Sequence, residues 1–177
     1  MDRRNVYIIS GPAGVGKSTT SKELLKKLKD SAYISGDAVS HMHIGGRQKP
    51  WESKKEISLI WDNILCLTRN FLSYGNDVVI DYVTFPSEAN WLFKNIIDLD
   101  VSVHYVVLWT DKETLLKRDL MRKKEYQMGD RCLILVDEFL DSGLDEKFRL
   151  PNCDKEPEAV IGEILNNGKF RLTESDE

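Results

Sequence analysis

The segment Gly11-Pro12-Ala13-Gly14-Val15-Gly16-Lys17-Ser18 satisfies the pattern G-x-x-x-x-G-K-[ST], and it falls between a β-rich run and a stretch of helical spacing. Glycines let the main chain wrap closely around phosphate oxygens, so that successive N–H groups and a helix N-terminus face the anion. Lys17 adds a mobile positive charge for the β and γ phosphates of a triphosphate. The Ser18 hydroxyl, with Thr19 next to it, is suited to Mg²⁺. A chance glycine-rich turn is the competing reading, and the order strand, loop, helix argues against it. Nucleoside triphosphate with Mg²⁺ is the premise for everything else in the chain.

Carboxylates at the ends of the next strands decide what is done with the triphosphate. Asp37 directly follows the second β-run, at the edge of the sheet where open α/β folds bind ligands. There it could accept the proton of an attacking hydroxyl or hold a Mg²⁺-bound water; the alternative is a simple cap after Gly36. Asp81 ends the hydrophobic run Val78-Val79-Ile80, and a charge in a central strand needs a partner. Mg²⁺ or its water shell would serve, as would a structural bond to Lys17 or a neighbouring loop. Leu133-Ile134-Leu135-Val136-Asp137-Glu138 mimics the strand-Asp-Glu pattern of hydrolytic ATPases. Cys132, Leu133, Val136, Phe139 and Leu140 nevertheless fall at helical spacing, so an amphipathic helix is expected there.

Arg118 and Arg122 stand one helical turn apart within the charged stretch Lys117 to Arg131. Guanidinium groups closing over a triphosphate neutralise charge on its equatorial oxygens, and a mobile lid over about 118–131 would supply them; a merely solvated charged helix is the alternative. His41 and His43 lack a nearby third ligand, so lining an acceptor pocket with Arg47, Trp51 and Tyr82 is expected of them rather than metal binding.

These groups need a scaffold. Short β-rich runs alternate with helical stretches, which is the pattern of an α/β domain with a parallel sheet. Strands are expected at Val6 to Ser10, Ala32 to Ser35, Val78 to Val83, Val101 to Trp109 and near Leu150 to Cys153. Helices are expected at Lys17 to Leu28, Glu52 to Tyr74 with Gly75 closing it, Pro86 to Asp98, after an Asp111 N-cap, and Pro157 to Leu165. An acidic end, Glu174 to Glu177, should fray.

Composition sets outer bounds. The 177 residues carry 41% hydrophobic and 31% charged side chains, which suits one domain with a real core and excludes a fibrous or disordered chain. A net charge of −4 removes the global attraction on which binders of long nucleic acid or anionic membranes rely. Three scattered cysteines suggest neither disulfides nor zinc, and no apolar run is long enough for a membrane span or signal peptide, so a cytoplasmic protein is expected.

Together these residues resemble the small P-loop kinases grouped with chloramphenicol phosphotransferase, zeta toxins and the kinase domain of polynucleotide kinase. The similarity spans nearly the whole chain and is strongest to uncharacterised bacterial proteins labelled ATP-binding or AAA-type. The resemblance implies a P-loop NTPase three-layer sandwich, with a five-stranded parallel sheet in the order 2-3-1-4-5 and an Arg-bearing lid. It implies Asp37 as general base, Arg118 near adenine, Arg122 near phosphate, and the segment Asn152 to Lys155 against adenine. The expected activity is transfer of the γ-phosphoryl of ATP to a hydroxyl of a small molecule, by a monomer or homodimer. The alternatives are an ATPase or switch without acceptor, and a nucleotide or polynucleotide 5′-hydroxyl kinase. A GTPase is disfavoured because no [NT]-K-x-D motif occurs, and an oligomeric motor because the chain is short for its helical subdomain.

Overall fold

The computed structural model describes residues 3–153 and 155–176. Five parallel strands, β1 (Asn5–Ser10), β2 (Ser31–Ser35), β3 (Asp77–Asp81), β4 (Ser102–Trp109) and β5 (Arg149–Pro151), form one sheet in the order β2-β3-β1-β4-β5. Among the described residues seven α-helices surround it: α1 (Lys17–Leu25), α2 (Gly36–Met42), α3 (Lys54–Ser73), α4 (Pro86–Lys94), α5 (Lys112–Leu120), α6 (Arg131–Asp141) and α7 (Pro157–Asn166). The strand order and the parallel sheet agree with the expectation. None of the described helices is long and apolar enough to cross a membrane.

Burial on both faces explains why the strands read as continuous apolar runs rather than alternating ones. Val6, Ile8, Val78, Ile80, Val103 and Tyr105 point into a layer built with Ile60, Trp61 and Ile64 of α3 and Leu92 of α4. Their neighbours Tyr7, Ile9, Val79, Val106 and Leu108 point the other way, against Leu24 of α1, Leu115 of α5 and Val160, Ile161 and Ile164 of α7. Consequently β1 leads to a helix on one face, while its sheet neighbour β3 leads to α4 on the opposite face. A crevice opens where such neighbouring connections diverge, at the carboxyl ends of the strands. Gly11 follows β1 and Asp81 ends β3 at this point, with Asp81 in register with Ile9 and with Ser35 of β2.

The run Leu133 to Glu138 is helical, inside α6. Phe139 enters one layer, Val136 the other, and Cys132 and Leu135 pack on Ala13 of the glycine-rich loop. Serving three clusters makes the helix apolar around much of its circumference, which is why it imitates a strand. Several element ends differ from expectation by a few residues. Helix α1 stops at Leu25, α4 stops at Lys94 before a short 3₁₀ turn over Ile97–Leu99, and β3 ends at Asp81 rather than Val83. Gly75 follows α3 with φ 80°, the left-handed conformation that ends helices. Glu174–Asp176 forms a 3₁₀ turn in which Asp176 pairs with Lys147, so the described part of the acidic end is docked; Glu177 lies outside the described residues.

Candidate phosphate-handling site

The glycine-rich loop is shaped by close contact rather than by flexibility. A Cβ on Gly11 would lie 2.5 Å from the Leu108 carbonyl oxygen, and the residue has φ 132°, so only glycine lets the loop leave β1 against β4. Gly16, at φ 105°, then opens α1 without a side-chain cap. The first amides of that helix have no intrahelical acceptor and present a ready anion site. Two donors brace the loop through one atom: the Val15 carbonyl accepts from Arg118 Nη1 at 3.1 Å and from Asn152 Nδ2 at 2.8 Å.

Lys17 Nζ donates to the carbonyls of Gly11 and Pro12 at 2.9 and 3.0 Å. Burial, the largest influence, lowers its pKa below the ordinary lysine value; the carboxylates of Asp81 and Asp37 oppose this and the Arg122 guanidinium adds to it. Three sequence-selected charges, Asp81, Asp37 and Arg122, therefore act on a single ammonium. Ser18 and Thr19 lie exposed in the first turn of α1.

Asp37 is exposed in the first turn of α2. It does not cap that helix: the Ser35 side chain does, accepting from the Ala38 N–H at 3.2 Å. The helix is pressed against the sheet edge because Gly36 lacks a side chain; a Cβ there would meet Tyr82 Cγ at 2.1 Å. Asp81 is 6% exposed, and its carboxylate accepts from the Tyr33 hydroxyl at 2.6 Å. The structural partner of Asp81 is thus Tyr33 on β2, while the Lys17 ammonium bonds to loop carbonyls. Burial first, and then the bond to Asp81, push the Tyr33 phenol up to about 12, so it is protonated and donates.

Arg118 and Arg122 do not share a continuous helix, since α5 ends at Leu120 and Arg122 lies just beyond it. Arg118 braces the loop, and Arg122 Nη1 reaches Asp119 at 3.4 Å. Sequence reasoning missed Asp119. Only 2% exposed, it accepts from the N–H groups of Met128 and Gly129 at 2.8–3.0 Å and pins the segment 121–130 onto the end of α5. Burial raises its pKa, but these donors and Arg122 outweigh that and leave it below the ordinary carboxylate value. A depressed carboxylate stabilises above its unfolded pKa and loses that contribution as pH falls through the folded value. The protection of the Met128 and Gly129 amides from hydrogen exchange, taken relative to the unfolded chain at the same pH, is therefore expected to fall in acid below the usual aspartate range of about 4. Asp119→Ala should accelerate their exchange at neutral pH by the equivalent of about 1–3 kcal/mol, with little change in the exchange of β1. Equal acceleration everywhere would show a global rather than a local role.

The histidines do not converge. His41 Nδ1 lies 2.6 Å from the Asp37 carbonyl, whereas His43 Nδ1 lies 3.0 Å from both oxygens of Glu56. Glu56, also unforeseen, is 4% exposed and accepts from the Gln48 N–H as well. The hydrogen bond with His43 is the main cause of its lowered pKa. Together these contacts tie the segment between α2 and α3 to the base of α3, where Ser53 caps the helix by accepting from the Glu56 N–H at 3.2 Å. Arg47 bonds back to Ser40, Trp51 stands 54% exposed beneath Arg131 at 5.5 Å, and Tyr82 is buried edge-on to Trp61. Within Asn152 to Lys155, Asn152 braces the loop; Asp154 lies outside the described residues.

Residues 6–133 match the AAA domain family. No curated protein matches the chain. Among solved structures it is similar to the tunicamycin resistance protein of Deinococcus radiodurans, at 21% identity and TM-score 0.63, covering 97% of this chain and 99% of that one. It is also similar to a gluconokinase from Sinorhizobium meliloti 1021, at 16% identity and TM-score 0.63, covering 92% of this chain and 91% of that one. A third is the Mycobacterium tuberculosis APS kinase CysC in complex with AMPPNP and APS, at 17% identity and TM-score 0.65, covering 92% and 96%. At these identities the likeness is one of fold.

Proposed function

The chain belongs to the AAA domain family, and on that premise we propose that it is an ATP-dependent phosphotransferase moving the γ-phosphoryl group to a hydroxyl of a small molecule. The observation that carries this reading is the grouping of Asp37, Asp81 and Arg122 around Lys17 at the mouth of the glycine-rich loop. An exposed carboxylate within electrostatic reach of the phosphate-binding amine is where an acceptor hydroxyl would have to be activated. The main-chain N–H groups of Ala13, Gly14 and Gly16, the start of α1 and Lys17 would hold the triphosphate.

Mg²⁺ fits the donors present, a Ser18 hydroxyl and an Asp81 carboxylate, both hard oxygen ligands and few in number, as Mg²⁺ sites on nucleotides usually are. When bound it would offset negative charge on the β and γ phosphates. Asp37 takes the proton of the acceptor hydroxyl as its oxygen attacks the γ-phosphorus and the bond to the β-γ bridging oxygen breaks, leaving ADP. Arg122, anchored by Asp119, adds positive charge from the lid side.

The test is incubation of the protein with ATP and Mg²⁺ against a library of metabolites, antibiotics and oligonucleotides, with mass spectrometry of the products. A small molecule gaining one phosphoryl group is expected. ATP hydrolysis without any phosphorylated product would favour a nucleotide-driven switch, and phosphorylation confined to oligonucleotides would move the acceptor class.

A further inference from the structure

We infer that Tyr33 is a positioning residue for the metal-binding carboxylate, acting through Asp81. The inference rests on the proposed Mg²⁺-dependent phosphotransferase reading and deepens it. Tyr33 stands on β2, one strand beyond Asp81, and the parallel register that pairs Ser35 with Asp81 brings its ring alongside the end of β3. Its hydroxyl donates to Asp81 Oδ2 at 2.6 Å. The other oxygen donor to which Mg²⁺ is assigned, Ser18, stands at the start of α1, which packs on β2 and β3.

Chemistry explains why such a group is wanted there. A carboxylate has two equivalent oxygens and rotates freely about its terminal torsion. Asp81 is almost fully buried and sits at the last position of a central strand, and Tyr33 occupies one of its oxygens. That bond fixes the carboxylate plane and leaves the other oxygen to serve a cation. Ligand orientation by an outer hydrogen bond is a general feature of metal sites, and losing it commonly weakens metal affinity or activity 10–100-fold. Tyr33 itself is 37% exposed at the crevice, so its hydroxyl is not needed to fill the core.

The experiment compares wild type, Tyr33→Phe, Asp81→Asn and the double variant by titrating Mg²⁺ into protein with a non-hydrolysable ATP analogue. Calorimetry reads nucleotide affinity at each Mg²⁺ concentration and in EDTA, so no acceptor or turnover is required. The Mg²⁺ concentration giving half-maximal enhancement of nucleotide binding should rise about 10–100-fold in Tyr33→Phe, with affinity in EDTA unchanged and the melting temperature lowered by a few degrees at most for the lost donor to a buried carboxylate. The double variant should be no worse than Asp81→Asn alone, because Tyr33 acts only through that carboxylate. A wild-type Mg²⁺ response in Tyr33→Phe, or an additive loss in the double variant, would overturn the inference and leave the phosphotransferase reading standing. Wild-type nucleotide binding that ignores Mg²⁺ would overturn both.

Discussion

Asp37→Asn should lower kcat by about 10²–10⁴ while ATP affinity stays within about twofold. The substitution keeps the shape of the side chain and removes only its ability to take a proton. Asp37 is exposed and makes no helix cap, that task falling to Ser35, so folding stability should move by no more than about 0.5 kcal/mol. Position is secured independently of the carboxylate, because Gly36 seats α2 against Tyr82 and Ser35 begins the helix. The measurements are kcat with the acceptor found by the library, and the ATP dissociation constant by calorimetry. A proton-transfer role predicts a kcat loss with KM for ATP nearly unchanged. If kcat survives, Asp37 is not the base, and the exposed end of β2 loses its claim to the acceptor.

The parts of this site that were legible from sequence are those whose role depends on local order. The loop from Gly11 to Ser18 is recognisable because its chemistry requires consecutive residues, and Asp37 and Asp81 because each directly follows a β-rich run. The Asp111 cap is equally local: its carboxylate accepts from the Thr114 N–H at 2.8 Å. Tyr33, Asp119 and Glu56 were not legible, because their roles come from where side chains point after the chain has closed on itself. Tyr33 reaches Asp81 across 48 residues of sequence, from one strand to its neighbour in the sheet. Asp119 stands in a run of charges and is distinguished only by burial, which Met128 and Gly129 bring about by folding back over it. The pairing of Arg118 with Arg122 was legible as spacing but not as conformation, since the helix that would have aligned them stops at Leu120.

Lys17→Met should reduce phosphoryl transfer by at least about 10²–10³, the usual effect of deleting one preorganised donor to developing charge. Methionine retains much of the apolar stem, so the loss reports on the ammonium. The more telling expectation concerns stability. Burial holds the folded pKa of Lys17 below its unfolded value, so between those two values the unfolded chain binds the proton more tightly, and stability rises with pH through that window. Burying the amine is therefore a burden on the fold, only partly offset by Asp81, Asp37 and two carbonyl acceptors. Removing it should leave the melting temperature of the nucleotide-free protein no lower than that of wild type, even as activity disappears. Adding ATP and Mg²⁺ should then separate the two proteins. Wild type gains stability as RT ln(1 + [L]/Kd), about 2.7 kcal/mol at a hundredfold excess over Kd, and the variant gains much less. A variant that melts far below wild type without nucleotide would show that Lys17 is a structural ion held by the loop. A variant that melts normally and is stabilised by ATP as wild type is would show that the triphosphate is held elsewhere.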